Sequence, residues 1–127
     1  HLERTMRQAR REGQPLFLAI VDVDHFKRYN DHYGHQAGDT ILVELAKVLK
    51  QHTQRPLDLA VRLGGEEFGL IFYGMSGIQV QQHLMRLNQH LQQRQMPHAA
   101  SPTAPYVTVS IGPTTVGLNL PALAGTV

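Results

Sequence analysis

Cysteine is absent from this chain. That removes disulfides, thiolate metal ligands and thiol nucleophiles, and it suits a reducing compartment. Long apolar runs are missing too. The strongest, LFLAIV at 16–21, falls far short of the ~20 residues that span a bilayer, and no signal peptide is visible. Charge of one sign is also scarce, with 12 Lys and Arg against 10 Asp and Glu for a formal net charge of +2. The basic residues are scattered rather than gathered, so no tract for a nucleic-acid polymer is indicated, while small anionic ligands stay open.

What is present is ordinary for a folded domain. Hydrophobic residues make up 42% and charged residues 17% of 127 positions, enough for one core without staples and too apolar for disorder. The chain starts within a helix-like pattern, Leu2, Met6 and Ala9 before a stop at Gly13, as a piece excised from something longer would. PLFLAIVDVD then reads as a central strand ending abruptly in acids. A short helix and a turn marked by Gly34 and Gly38 follow. Ile41, Leu42, Leu45, Ala46 and Leu49 line one face of a helix over 40–52. Two strand-like runs, 57–63 and 68–73, flank Gly64 and Gly65, which predicts a hairpin whose glycines take positive φ. Val80, Leu84, Leu87 and Leu91 predict a helix over 77–95. After a loop at 96–105, YVTVSIG at 106–112 alternates as a strand, and the tail from Pro113 shows no clear period. The order suggests an α/β sandwich with helices packed on a mixed sheet. Neither an internal repeat nor a linker to a second domain is visible.

Acids sit where these elements end. Asp22 closes the first strand, Asp24 follows two residues on and shares its side if the extended geometry continues, and Glu66 and Glu67 occupy the hairpin tip RLGGEEF. Converging carboxylates would suit Mg²⁺, a hard cation that takes oxygen ligands and completes its shell with water and substrate phosphates. Taken alone, each pair reads equally well as a helix cap at Asp22 and a solvated turn at the glutamates. Adjacent strand residues face opposite ways, so the two glutamates are expected to do different jobs. The glycine pair has a second use, since a missing Cβ lets backbone approach a ligand closely. His25, His32 and His35 lie near one another without cysteine partners or an HExxH pattern, which favours structural or surface roles over zinc. Phe26 and Tyr29 read as core residues, and Asp39 could equally cap a helix beginning at Thr40.

DVDHFKRYNDHYGHQAGD at 22–39, RPLDLAVRLGGEEF at 55–68 and VTVSIG at 107–112 together resemble the GGDEF domain of diguanylate cyclases, in its GGEEF variant. The resemblance runs from about Gln14 to Gly112, and these motifs in this order are far more specific than a lone GGEEF. It implies a nucleotidyl-cyclase-like palm, an α+β sandwich with a central antiparallel or mixed sheet flanked by helices. It also implies condensation of two GTP molecules into cyclic di-GMP with release of pyrophosphate. Carried over position by position, Asp22, Glu66 and the Val23 carbonyl would hold Mg²⁺, or Mn²⁺ in its place. Lys27 would contact phosphates, and Asn30 and Asp39 would read guanine. Gly64 and Gly65 would lie against the nucleotide. Glu67 would serve a second metal or activate the attacking hydroxyl. RPLD matches the family's RxxD inhibitory site, through which Arg55 and Asp58 would bind product; on the residues alone the two could form a surface ion pair. Arg86 resembles the accessory arginine of that site, although on the residues alone a solvated helix face is the better reading of its position.

Because one domain holds one GTP and the product joins two, the resemblance further implies a homodimer, an upstream sensory domain, and a cytoplasmic location, free or as part of a membrane-anchored sensor. The 127 residues would form a single domain lacking the family's LTGLxNRR-like opening segment and its ADxALYxAK-type closing helix. That departure leaves a non-catalytic module binding GTP or cyclic di-GMP as the alternative.

Overall fold

The apolar run after Pro15 forms β1 (Leu16–Val23), which buries Leu16 and Leu18 on one face and Ala19, Val21 and Val23 on the other, as a strand covered on both sides does. The structure, a computed structural model, describes residues 16–115 and 125–126; the expected helix ahead of Gly13 lies outside the described residues. Beyond β1 come α1 (Phe26–Tyr33), α2 (His35–Gln51), β2 (Leu59–Arg62), β3 (Glu67–Tyr73), α3 (Gly77–Arg94), β4 (Val109–Thr115) and β5 (Gly125–Thr126).

The strands form one sheet in the order β4-β1-β3-β2-β5, and every pairing is antiparallel. Of the mixed or antiparallel sheet that the sequence admits, the described residues form the antiparallel one. On one face, Ala19, Val21 and Val23 of β1 and Phe68, Leu70 and Phe72 of β3 pack with Leu45 and Val48 of α2 and Val80 and Leu87 of α3. Leu18, Val61, Ile71 and Tyr73 build a second cluster on the opposite face. Leu45 is 1% exposed, so its truncation to Ala costs about 2–5 kcal/mol.

Several boundaries differ from expectation, each for a local reason. α2 begins at His35, so Gly38 is a buried helical residue and not part of a turn. Asp39 consequently sits in the second turn of α2, and the capping role open to it is excluded because Gly34 is the N-cap. β4 starts and ends three residues later than YVTVSIG suggested and runs through Pro113, which an edge strand tolerates. Tyr106 instead makes an isolated bridge with Pro97. The tail assigned no structure contributes β5, paired with β2 at Val61 and Arg62. Ser76 caps α3, exchanging hydrogen bonds with Gln79 in a capping box.

Candidate active site

Strand register brings the acids together. Asp22 opposes Glu67 directly across the β1–β3 pair. The strand period sends both side chains to the face away from the helices. Burial, then the charges of Glu67 and Asp24, raises the Asp22 carboxyl above its ordinary value. Glu66, half-buried in the turn ahead of β3, is likewise raised by burial, then by Asp22 and Glu67. Glu67 thus acts on both Asp22 and Glu66, and Asp22 acts on Glu66. The cap open to Asp22 is excluded, since α1 is entered through His25 with no side-chain cap.

Asp24 does not continue the strand. Its backbone N–H donates to the Thr108 carbonyl, and its carboxylate accepts from the Thr108 and Ser110 hydroxyls at 2.8 and 2.5 Å. This acid is occupied by β4 and the residue before it. Asp22 Oδ1, by contrast, is buried with no hydrogen-bond partner. Among the described residues no three His, Asp or Glu side chains are arranged to hold an ion by themselves. Two raised carboxylates and one orphaned oxygen nevertheless fit a hard cation that takes the rest of its shell from a carbonyl, water and phosphate.

At the hairpin tip, neither Gly64 nor Gly65 adopts positive φ, which corrects the turn-geometry expectation for both. A Cβ built on either would meet nothing within 4 Å. Neither turn geometry nor packing within the described residues therefore demands glycine, and the open space above the tip is where a ligand's approach would. Arg62, to which the sequence reading gave no role, fixes these peptides by donating from Nε to the Gly64 carbonyl at 3.0 Å and from its terminal nitrogen to the Gly65 carbonyl at 2.7 Å.

Lys27 and Asn30 lie one turn apart on α1 and share a face. Lys27 is exposed and joins no ion pair among the described residues. The Asn30 amide lies against the first turns of α2, so close that a Cβ on Gly38 would fall 1.8 Å from Asn30 Oδ1. Gly38 is thus the position that admits Asn30, whose Oδ1 is buried without a partner. Asp39, next in the chain, is exposed.

Arg55 and Asp58 stand at the far end of the sheet. Leu16 opposes Tyr73 at one end of the β1–β3 pair and Asp22 opposes Glu67 at the other, a span of about 20 Å at ~3.3 Å per residue. The Arg55 guanidinium donates to the Tyr73 carbonyl at 2.8 Å, and its backbone N–H donates to Asp58 Oδ2 at 3.3 Å. Asp58 is buried. Burial raises its carboxyl, opposed by the Arg55 charge, the Arg55 backbone hydrogen bond and His83. The surface ion pair considered for these residues is excluded, because Asp58 is inside and the guanidinium points to backbone. Arg86 is exposed on α3, where its charge reaches His52. His52, at the end of α2, hydrogen bonds ring to ring with His90, and His83 donates to the His52 carbonyl.

The GGDEF domain model of diguanylate cyclases matches residues 1–120. The chain is similar to diguanylate cyclase DgcP of Pseudomonas aeruginosa, at 46% identity over 53% of this chain and 10% of that protein. It is 32% identical to diguanylate cyclase A of Treponema denticola over 91% of this chain and 30% of that one. It therefore spans less than a third of these curated relatives. The fold is similar to the crystal structure of the GGDEF domain of DgcB from Caulobacter crescentus in complex with c-di-GMP, with a TM-score of 0.78, 32% identity, and coverage of 91% of this chain and 68% of that one. Among the described residues no helix is long and apolar enough to cross a membrane.

Proposed function

The chain belongs to the GGDEF domain family of diguanylate cyclases, and on that premise we propose that it condenses two GTP molecules into cyclic di-GMP with release of pyrophosphate. The observation that carries this reading is the group of Asp22, Glu66 and Glu67, in which burial and like charge raise the Asp22 and Glu66 carboxyls together, beside a glycine pair that faces open space.

In this reading Asp22, Glu66 and the Val23 carbonyl hold Mg²⁺, or Mn²⁺ in its place. When bound, the ion neutralises charge developing on the transferring phosphoryl group and the departing pyrophosphate. The chain's own groups do the rest. Lys27 binds phosphate with an exposed ammonium. Gly64 and Gly65, their carbonyls held by Arg62, let the backbone lie flush with the nucleotide. Asn30 offers amide donor and acceptor to the guanine edge, and Asp39 accepts from its N–H groups. The 3′-oxygen of one GTP forms a bond to the α-phosphorus of the other as the bond from that phosphorus to pyrophosphate breaks, and the hydroxyl proton leaves. Glu67 serves a second ion or takes that proton. Repeating the step in the opposite sense closes the ring, so two domains meet face to face in a homodimer.

Product binding at Arg55, Asp58 and Arg86 then restrains synthesis from the far end of the sheet, and an upstream sensory domain sets the activity of a cytoplasmic catalytic domain. Incubating the full-length natural protein with GTP and Mg²⁺ and separating the nucleotides tests the reading. Cyclic di-GMP and two equivalents of pyrophosphate are expected. Binding of GTP or cyclic di-GMP without turnover would replace the enzyme with a binding module.

A further inference from the structure

We infer that His98, far in sequence from Asp22, Lys27 and Asn30, is a positioning residue that holds α1 and its Lys27 and Asn30 in register with the acids of β1. The inference rests on the reading of the site given above.

The connection between Asp22 and Lys27 is an unusual piece of backbone. His25 takes φ 56 and ψ 37, the left-handed region that non-glycine residues seldom occupy. It is also the N-cap of α1, yet no side chain caps the helix there. A kink of this kind persists only where its surroundings over-determine it. Here the surroundings come from 96–110, between α3 and the start of β4. Thr108 and Ser110 bind Asp24 immediately before the kink. His98 binds the kink itself, with Nε2 3.2 Å from the His25 carbonyl. A carbonyl can only accept, so Nε2 carries the proton. The same carbonyl accepts the Tyr29 backbone N–H, a bond of the first turn of α1, so His98 reinforces the atom on which the helix starts.

The rest of the ring's setting serves orientation. His98 is 1% exposed. It meets the Tyr29 ring edge-on at 5.1 Å, and the neighbouring Ala99 N–H donates to the Tyr33 hydroxyl at 2.8 Å. Its own backbone N–H is tied to the Pro105 carbonyl. Nδ1 is buried with no partner, a cost that an apolar residue filling the same space would avoid. Donation to His25 is what distinguishes histidine from such a residue.

The test compares His98→Leu, which fills space without donating, with His98→Gln, whose amide nitrogen reaches the Nε2 position. Both are made in the full-length protein and measured for melting temperature, deuterium exchange at the amides of 24–30, and kcat and KM with GTP. The expected result is faster exchange at 24–30 in His98→Leu with α3 unaffected, a fall of about 10- to 100-fold in kcat/KM, and recovery of both in His98→Gln. If the leucine variant does not fold, His98→Gln against the shorter His98→Asn carries the comparison. Unchanged exchange and kinetics in a folded variant lacking the donor, or equal losses in both members of the pair, would overturn the assignment. Exchange is read without nucleotide, so a protein that makes no cyclic di-GMP defeats the functional reading while leaving this one decided by the amides.

Discussion

At one end of the β1–β3 pair, Asp22 is raised by burial and raised again by the charges beside it; at the other, Asp58 is raised by burial and pulled back by Arg55 and His83. The two carboxylates share a cause and differ in company. Desolvation always disfavours a charged carboxylate, so what separates the two sites is whether the fold supplies a counter-charge. Asp58 has one within its own turn, and that end reads as internally balanced. The group around Asp22 and Glu66 is a set of like charges that an external cation would relieve. A protein that needed these acids only for solubility would have no reason to gather them across a strand pair.

The largest effect that sharpens this contrast is Glu66→Ala. Removing an acid from the unbalanced end should cut Mg²⁺-dependent synthesis of cyclic di-GMP by about a hundredfold or more. The melting temperature should hardly fall, because repulsion is lost along with the acid. Product chromatography and a thermal melt check the two halves. Gly38→Ala comes next. Its Cβ would collide with the Asn30 amide, the end of a side chain that can swing away, so a KM for GTP raised about tenfold should accompany a small change in stability.

At the balanced end, Arg55→Ala should leave synthesis intact and weaken inhibition by added cyclic di-GMP about tenfold, equivalent to ~1.4 kcal/mol. Inhibition assays on the purified protein read this directly, and an unaltered inhibition curve would make RPLD a structural turn. The smallest effect concerns His52, also at this end. Burial, then His83, His90 and Arg86, holds its imidazole below the ordinary value of 6.5. The unfolded chain therefore takes up the proton first as pH falls. Its contribution to stability is fully present above about pH 6.5 and is lost as pH drops through that value toward the lower folded one. Arg86 is the fixed charge among these neighbours, and His83 also faces Asp58. The drop in melting temperature between pH 7.5 and 5.5 should be smaller in His52→Gln than in the parent.

The sheet and its helices were legible because their apolar signals are strong: β1, β3 and α3 fall close to where the continuous apolar runs and the helical spacing put them. The acids were legible as a list, and the strand register shows why Asp22 and Glu67 share a face. Punctuation residues misled. Gly38 looks like a breaker and is a helical residue making room for Asn30, while Gly64 and Gly65 look like a positive-φ turn and are not. Pro113 looks like an end and lies within an edge strand. The Arg62 clamp and the His98 bond carry no motif at all, since each joins a side chain to a backbone carbonyl whose position only the fold determines.

Binding calorimetry with a GTP analogue carrying a methylene bridge between its α- and β-phosphates, in Mg²⁺ and again in chelator, tests the central claim most directly. The parent protein should bind about tenfold or more tightly with the ion, and Asp22→Asn should bind equally in both conditions. Equal binding by the parent with and without Mg²⁺ would contradict the account.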